Sequence, residues 1–147
     1  MFVFELESVL KIRKHKEKLE KQKLAGIMNK REAILKEISR RNEKLESYMA
    51  NSLQTVRSDY NKERILKEFV LSEMKEISRL KKELSEKEKE ISNQKSVLLK
   101  ARRDTEALIK LRQKKFLEYK REAERKEQLF QNEIATQIYY KQQQEWV

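Results

Sequence analysis

The periodic segment at residues 70–98 reads VLSEMKEISRLKKELSEKEKEISNQKSVL. An apolar residue returns in it at every seventh position: Val70, Ile77, Leu84, Ile91 and Leu98. A seven-residue repeat keeps one side of a slightly under-wound helix apolar, and another helix has to cover that side. The segment therefore predicts one helix of a coiled coil whose partner helix lies elsewhere.

The same register gives a second line of residues along the seam, the line on which the two helices meet. Its apolar members are Leu66, Leu80, Ala101 and Leu108. Its polar members are Glu73, Lys87 and Gln94. Because polar seam residues cost stability, we expect a long and rather polar coiled coil.

The composition agrees with long helices. The 147 residues are 37% apolar and 41% charged, which is too little apolar material for a globular core of ordinary proportions. The chain has no proline and one glycine, so it lacks the usual turn and loop residues. Intrinsic disorder is the alternative for so charged a chain, but disordered segments seldom keep apolar residues in phase.

A second set of heptads precedes the first and supplies the partner helix. Its apolar seam positions are Leu24, Met28, Leu35, Ile38, Leu45, Met49 and Val56. The remaining seam places hold Arg31, Asn42 and Ser52. A polar seam residue such as Asn42 either fixes the register of the two helices or reflects wear of the pattern.

Residues 50–61 hold the chain's cluster of Asn, Ser, Thr and Asp, which favour caps and turns. Ser58 or Asp59 would cap the second helix. With a turn near residue 56, Leu6 would face roughly Leu108, and Leu45 roughly Leu66. We therefore predict an all-α fold, an antiparallel coiled-coil hairpin forming one domain. Its predicted parts are a first helix at about 3–52, a turn at about 50–61 and a second helix at about 60–145.

The second helix is predicted to overhang the first at its C-terminal end. Its apolar pattern changes phase there and continues through Phe116, Tyr119, Ala123, Phe130, Ile134 and Ile138, followed by Tyr139, Tyr140 and Trp146. An exposed amphipathic helix with aromatic residues is typical of a docking surface, and the alternative is a frayed or self-associating tail.

Positive charge is concentrated in two blocks of a chain whose net charge is +11. Residues 11–44 carry thirteen Lys or Arg against five Glu, a net of +8, and residues 95–115 carry eight against two acidic residues, a net of +6. Such blocks are usually solvated faces. They also suit an acidic protein surface or the phosphate backbone of a nucleic acid.

The sequence offers no catalytic constellation. His15 is the only histidine and Gly26 the only glycine, which excludes a glycine-rich phosphate loop, and there is no cysteine. We therefore predict a protein that is not an enzyme and holds no metal or cofactor. It has no apolar run long enough to span a membrane and no signal peptide, which predicts a cytoplasmic location.

Two motifs carry a resemblance to a known family. The opening reads Phe2-x-Phe4-x-Leu6-Glu-Ser-x-Leu10-x-x-Arg13, and residues 119–128 read Tyr-Lys-Arg-Glu-x-x-Arg-Lys-Glu-Gln. Together with the total length and the position of the turn, they resemble the FliJ family of flagellar export proteins. The resemblance implies an antiparallel two-helix coiled coil, similar to the central stalk of rotary ATPases, in the flagellar type III export apparatus.

The resemblance also implies partners and contact residues. The partners would be the hexameric flagellar export ATPase (FliI-like), the membrane export gate (FlhA-like) and export chaperones, at the flagellar base beside the inner membrane. The implied ATPase contacts are Phe4, Leu6, Leu10, Arg13, Phe116, Tyr119, Phe130 and Ile134. The implied gate contacts are Phe69, Glu73, Glu76 and Leu80. The alternatives are a basic coiled coil that binds nucleic acid non-specifically and a structural homodimeric coiled coil.

Overall fold

The computed structural model describes residues 1–55 and 59–145, with side chains for 1–52 and 59–144. Helix α1 spans Glu7–Thr55 and helix α2 spans Tyr60–Glu145. No strand occurs within these ranges. The prediction of an all-α chain of two long helices is therefore confirmed. That residues 1–147 form a single coiled-coil domain stays a prediction.

Helix α1 begins at Glu7. The sequence predicted a start at about residue 3, so the helix begins about one turn later than expected. The Glu7 N–H donates to the Phe4 carbonyl at 3.0 Å, and the Leu10 N–H donates to the Leu6 carbonyl at 2.9 Å. The Phe4 side chain is buried before the helix starts. Burial of that ring therefore holds the first residues in a non-helical segment that leads into α1.

Asp59 is the N-terminal cap of α2. Its Oδ1 accepts the Asn61 N–H at 3.1 Å, and its carbonyl accepts the Glu63 N–H at 3.2 Å. A carboxylate at this position accepts a hydrogen bond from an N–H group that has no partner within the helix. Its negative charge also interacts favourably with the positive, N-terminal end of the helix dipole. Of the two predicted caps, Asp59 is confirmed, and Ser58 lies outside the described residues.

Contacts divide the chain into two units. Unit 1 contains residues 1–15 and the described residues from Arg102 onward, and unit 2 contains residues 16–101. Within unit 2 the helices are antiparallel, because Glu20 meets Gln94 near one end and Tyr48 meets Phe69 near the other. The core of unit 2 consists of Ile34, Ile38, Ile77 and Leu80, with Leu84 packed against them.

The α2 seam of unit 2 follows the predicted register. Its side chains are buried or half-buried at Leu66, Val70, Glu73, Ile77, Leu80, Leu84, Lys87, Ile91, Gln94, Leu98 and Ala101. The polar members therefore take their places in the interface beside the apolar ones.

One of the two α1 seam lines was predicted one residue too late. Ile27, Ile34 and Arg41 are buried or half-buried, and Tyr48 packs on Phe69. The prediction had Met28, Leu35, Asn42 and Met49, and of these four Leu35 alone is half-buried. Arg41 donates to the Glu73 carboxylate at 2.9 Å across the interface, whereas Asn42 is exposed. This ion pair selects Arg41, so a register role for Asn42 is wrong.

The predicted facing pairs are displaced by about one helical turn. Leu66 lines a cavity with Met49 and not with Leu45. In unit 1, Leu6 lines a cavity with Leu111 and not with Leu108. Because α1 ends at Thr55 and α2 begins at Tyr60, the midpoint of the connection lies later than residue 56. Each residue of delay in an antiparallel pair moves the facing position by two.

Candidate partner-binding surfaces

An aromatic cluster of Phe2, Phe116 and Tyr119 joins the N-terminal segment of unit 1 to α2. The Phe2 ring lies 5.4 Å from the Phe116 ring, nearly edge-on, and 5.7 Å from the Tyr119 ring. Such ring pairs add about 0.5–1.5 kcal/mol to the burial of their area. Leu10, in the first turn of α1, is fully buried, with 1% of its surface exposed. The N-terminal segment is therefore packed in place on α2.

Two ion pairs connect α1 and α2 within unit 1. The Arg13 guanidinium lies 3.1 Å from the Asp104 carboxylate, and the Arg112 guanidinium lies 3.2 Å from the Glu7 carboxylate. All four side chains remain between 37% and 48% exposed. Exposed pairs of this kind contribute about 0–1 kcal/mol each. They orient the two helices more than they stabilise them, and they engage two of the basic residues within the chain.

An apolar face of α2 in unit 1 stays exposed. This C-terminal apolar face comprises Phe116, Tyr119, Phe130, Ile134 and Ile138. These side chains are between 40% and 62% exposed, and every described side chain from residue 119 to 144 is classed as exposed. Because their spacing is close to multiples of the 3.6-residue helical turn, they lie along one side of the helix. Such a stripe is typical of a surface that receives another protein.

Unit 2 carries a polar and aromatic cluster toward the C-terminal end of α1 and the N-terminal end of α2. The Tyr48 and Phe69 rings are 4.4 Å apart, and the Lys44 ammonium lies 5.4 Å from the centre of the Phe69 ring. The Glu73 carboxylate, 10% exposed, meets Arg41 at 2.9 Å and Lys44 at 3.8 Å. A buried carboxylate with two cations is well satisfied. The cluster therefore fixes the register of the helices in unit 2.

Hydrogen bonds from neighbouring side chains lower the pKa values of three carboxylates in unit 2. Hydrogen bonds from Arg40, and then from Arg41, lower the pKa of Glu37 from 4.5 to about 2. A hydrogen bond from Gln94 lowers the pKa of Glu20, and one from Arg79 lowers the pKa of Glu76. Each shift stabilises an ionised carboxylate, which is the opposite of what a general acid requires at neutral pH.

The described part of the chain contains neither a cluster of metal ligands nor a membrane-spanning helix. No group of three or more His, Cys, Asp or Glu side chains there could hold a metal ion. Over the same residues, neither helix contains a segment that is apolar and long enough to cross a lipid bilayer.

A comparison with models of known protein families identifies the family of this chain. The family model described as "Flagellar FliJ protein" matches residues 2–144 of the 147-residue chain. The chain belongs to the FliJ family. No curated protein matches it, and no solved structure does. FliJ-family proteins are non-enzymatic coiled-coil components associated with the flagellar export apparatus.

The implied ATPase contacts of this FliJ-family chain fall into two groups. Phe4 and Leu10 are buried, and Arg13 is paired with Asp104. These three side chains make contacts within unit 1 and are therefore less accessible to a partner. Accessible side chains remain at Leu6, Phe116, Tyr119, Phe130 and Ile134. Leu6 and Tyr119 line one cavity, whereas Phe130 and Ile134 lie further along α2.

The implied gate contacts of the FliJ-family chain are mostly engaged inside unit 2. Glu73 and Leu80 are buried, Phe69 packs on Tyr48, and Glu76 pairs with Arg79 at 2.6 Å. The helical neighbours of Phe69 therefore point largely into the seam. Their assignment to the gate stays a prediction.

A neighbouring apolar patch was missed. Met49, Leu66, Val70 and Leu71 line a cavity of about 450 Å³. Close by on α2, Met74 is 56% exposed, and Leu71 is 59% exposed. The available signal was that Leu71 and Met74 are apolar although neither belongs to the predicted seam. Apolar residues outside the seam of so polar a helix are candidates for contact with a partner.

Proposed function

We propose that this FliJ-family chain is a stalk-like component of the flagellar export apparatus that binds and stimulates the hexameric, FliI-like export ATPase. It would also link that ATPase to the FlhA-like export gate. Its proposed location is cytoplasmic, at the flagellar base and peripheral to the inner membrane. The observation that supports the ATPase contact best is the C-terminal apolar face, from Phe116 to Ile138.

The proposed mechanism is a shift in the population of ring arrangements. A helix that buries its apolar face better in one arrangement of the ring favours that arrangement by the difference in binding free energy. Coupling of this kind typically amounts to about 1–3 kcal/mol, or roughly 5–150-fold in an equilibrium constant. A helix that bound all arrangements equally would hold the ring without stimulating it.

The ATPase proposal is tested by removing the apolar face without shortening the helix. Phe130→Ser with Ile134→Ser changes two side chains that are 62% and 40% exposed. The matched control is Leu117→Ser with Leu129→Ser, because these exposed residues lie on other sides of α2. Hydrolysis of ATP by the purified export ATPase is measured with each full-length variant.

We expect the Phe130 and Ile134 variant to stimulate hydrolysis at least about fivefold less than the unchanged chain, because the ring loses its preferred contact. The control should stimulate normally. Equal stimulation by both variants would show that this face is not the working surface. Circular dichroism should give the same helical content for both, since neither change touches a packed side chain.

The gate contact is proposed for the same stretch of α2 as before, through its accessible side chains Leu71 and Met74. Leu71→Ser with Met74→Ser should weaken binding to the purified cytoplasmic part of the export gate, measured by calorimetry. Ile65→Ser is the control, because Ile65 is also exposed but lies on another side of the helix. Unchanged binding by the double variant would remove this patch from the proposal.

A further inference from the structure

A cavity of about 520 Å³ lies in unit 1 between the N-terminal segment and α2. Its apolar walls include Val3, Leu6, Leu111 and the ring of Tyr119. Pockets that hold small ligands measure roughly 300–1,000 Å³, so this cavity has room for a large side chain of a partner. The N-terminal segment forms part of its wall and is itself held by the aromatic cluster.

The charged side chains around this cavity are mainly acidic. Glu5, Glu118 and Glu122 line it against one basic side chain, Lys115. The Lys115 ammonium already lies 3.6 Å from the Glu118 carboxylate. This is an acidic site in a chain with a net charge of +11. Complementary potentials select partners, so the site disfavours an acidic segment and favours a basic one.

The aromatic rings favour the same charge. Phe2 and Tyr119 both line the cavity, and their rings lie 5.7 Å apart. A Lys or Arg head group placed over such a ring gains about 0.5–1 kcal/mol at an exposed site. Both the aromatic rings and the carboxylates therefore favour a partner that carries a cation beside an apolar side chain.

We propose that this cavity binds an apolar or aromatic side chain from a partner segment in which the adjacent residues are Lys or Arg. The inference deepens the proposed function, and it rests on that function only for the identity of the partner, a basic and apolar segment of the ATPase ring. Apart from Lys115, which lines the cavity, the basic blocks of the chain would serve other contacts, because this site repels acidic loops.

The experiment uses the full chain and three short fluorescein-labelled peptides, which are identical except at the centre. The centres are Lys-Phe-Lys, Glu-Phe-Glu and Lys-Ser-Lys, and binding is followed by fluorescence polarisation. Leu111→Trp fills the cavity from its α2 wall, and Leu117→Trp is the matched control on the same helix outside the cavity. Glu5→Gln with Glu122→Gln removes two of its carboxylates.

The Lys-Phe-Lys peptide should bind best, and replacing its Phe by Ser should weaken binding about tenfold or more, as expected for loss of a side chain from an apolar pocket. Leu111→Trp should produce a similar loss, whereas Leu117→Trp should bind normally. The variant with two glutamines should bind several-fold more weakly and with less dependence on salt.

The proposal is overturned if the Lys-Phe-Lys peptide does not bind, if the Glu-Phe-Glu peptide binds equally well, or if Leu111→Trp leaves binding unchanged. Because no ATPase is present, these outcomes are independent of the stimulation assay. Suppose that the Phe130 and Ile134 variant loses stimulation and that the Lys-Phe-Lys peptide does not bind. The proposed function would then stand, and only the proposed binding site would be rejected.

Discussion

Units 1 and 2 contain similar apolar repeats but use them differently. In unit 2 the repeat of α2 is covered by α1, and residues such as Ile77 and Leu80 are 7% and 6% exposed. In unit 1 the repeat continues beyond Tyr119 on side chains that are exposed. The same spacing therefore builds a core where a second helix is present and an accessible surface where it is not. The position of that difference indicates where a partner is to be sought.

The sharpest test of this comparison replaces one isoleucine in each unit. Ile77→Ala should lower the free energy of unfolding by about 2–5 kcal/mol, because it removes buried methyl groups and leaves a cavity. Ile134→Ala should change it by less than about 0.5 kcal/mol, because that side chain is exposed. Thermal unfolding followed by circular dichroism measures both. Similar losses would mean that the C-terminal apolar face is already packed within the protein.

Breaking an ion pair should also lower the free energy of unfolding more in unit 2 than in unit 1. Arg41→Ala leaves the Glu73 carboxylate, 10% exposed, with Lys44 at 3.8 Å, and should cost about 1–3 kcal/mol. Arg13→Ala removes a pair whose members are 42% and 43% exposed, and should cost at most about 1 kcal/mol. Urea unfolding at neutral pH provides the comparison. A larger cost for Arg13→Ala would contradict the assignment of the register-fixing pair to unit 2.

Backbone preference should matter more where the helix is packed. An alanine Cβ at Gly26 in unit 2 would meet nothing within 4 Å, so Gly26→Ala should raise stability by about 0.5–1 kcal/mol. Asn132→Ala improves helix propensity in the exposed part of α2 and should leave the midpoint of cooperative unfolding unchanged. A fall in the midpoint for Gly26→Ala would show that the glycine is required by the packing.

The smallest expected effect is the pH dependence of unit 2. The pKa of Glu37 is lowered from 4.5 to about 2 by Arg40 and Arg41, so its ionised form is favoured in the folded chain. That contribution is complete above pH 4.5 and is lost as the pH falls toward about 2. Glu37→Gln should therefore flatten the acid side of a plot of stability against pH. An unchanged curve would show that the exposed pair does not contribute.

Most of the helical register could be predicted from the sequence, because periodicity reports which side of a helix is apolar. Val70 and Ile77 fell on the seam as expected. The error at Ile34 and Leu35 has a simple cause, since two adjacent apolar residues fit a repeat equally well. The Arg41 to Glu73 ion pair, which joins residues 32 positions apart, selects between them, and periodicity carries no information on such a contact.

The candidate surfaces could be predicted only in part. The exposed residues Phe130 and Ile134 followed from the change in phase of the α2 repeat. The cavity beside Leu6 could not be predicted, because residues 1–6, which precede α1, form one of its walls, and Phe4 is buried within that segment. Helix propensity alone gives no reason for α1 to begin at Glu7 and not nearer residue 3. Tertiary packing overrides propensity at this end of the helix.

The cap at Asp59 also has a consequence for the order of folding. Contacts near it join residues close in sequence, as Arg41 and Glu73 are separated by 32 positions, whereas Glu20 and Gln94 are separated by 74 and Arg13 and Asp104 by 91. Closing a longer loop costs more chain entropy, so early contacts should form beside Asp59 and later ones progressively further from it. The aromatic cluster around Phe2 would be among the last contacts to form, after most of the second helix has left the ribosome.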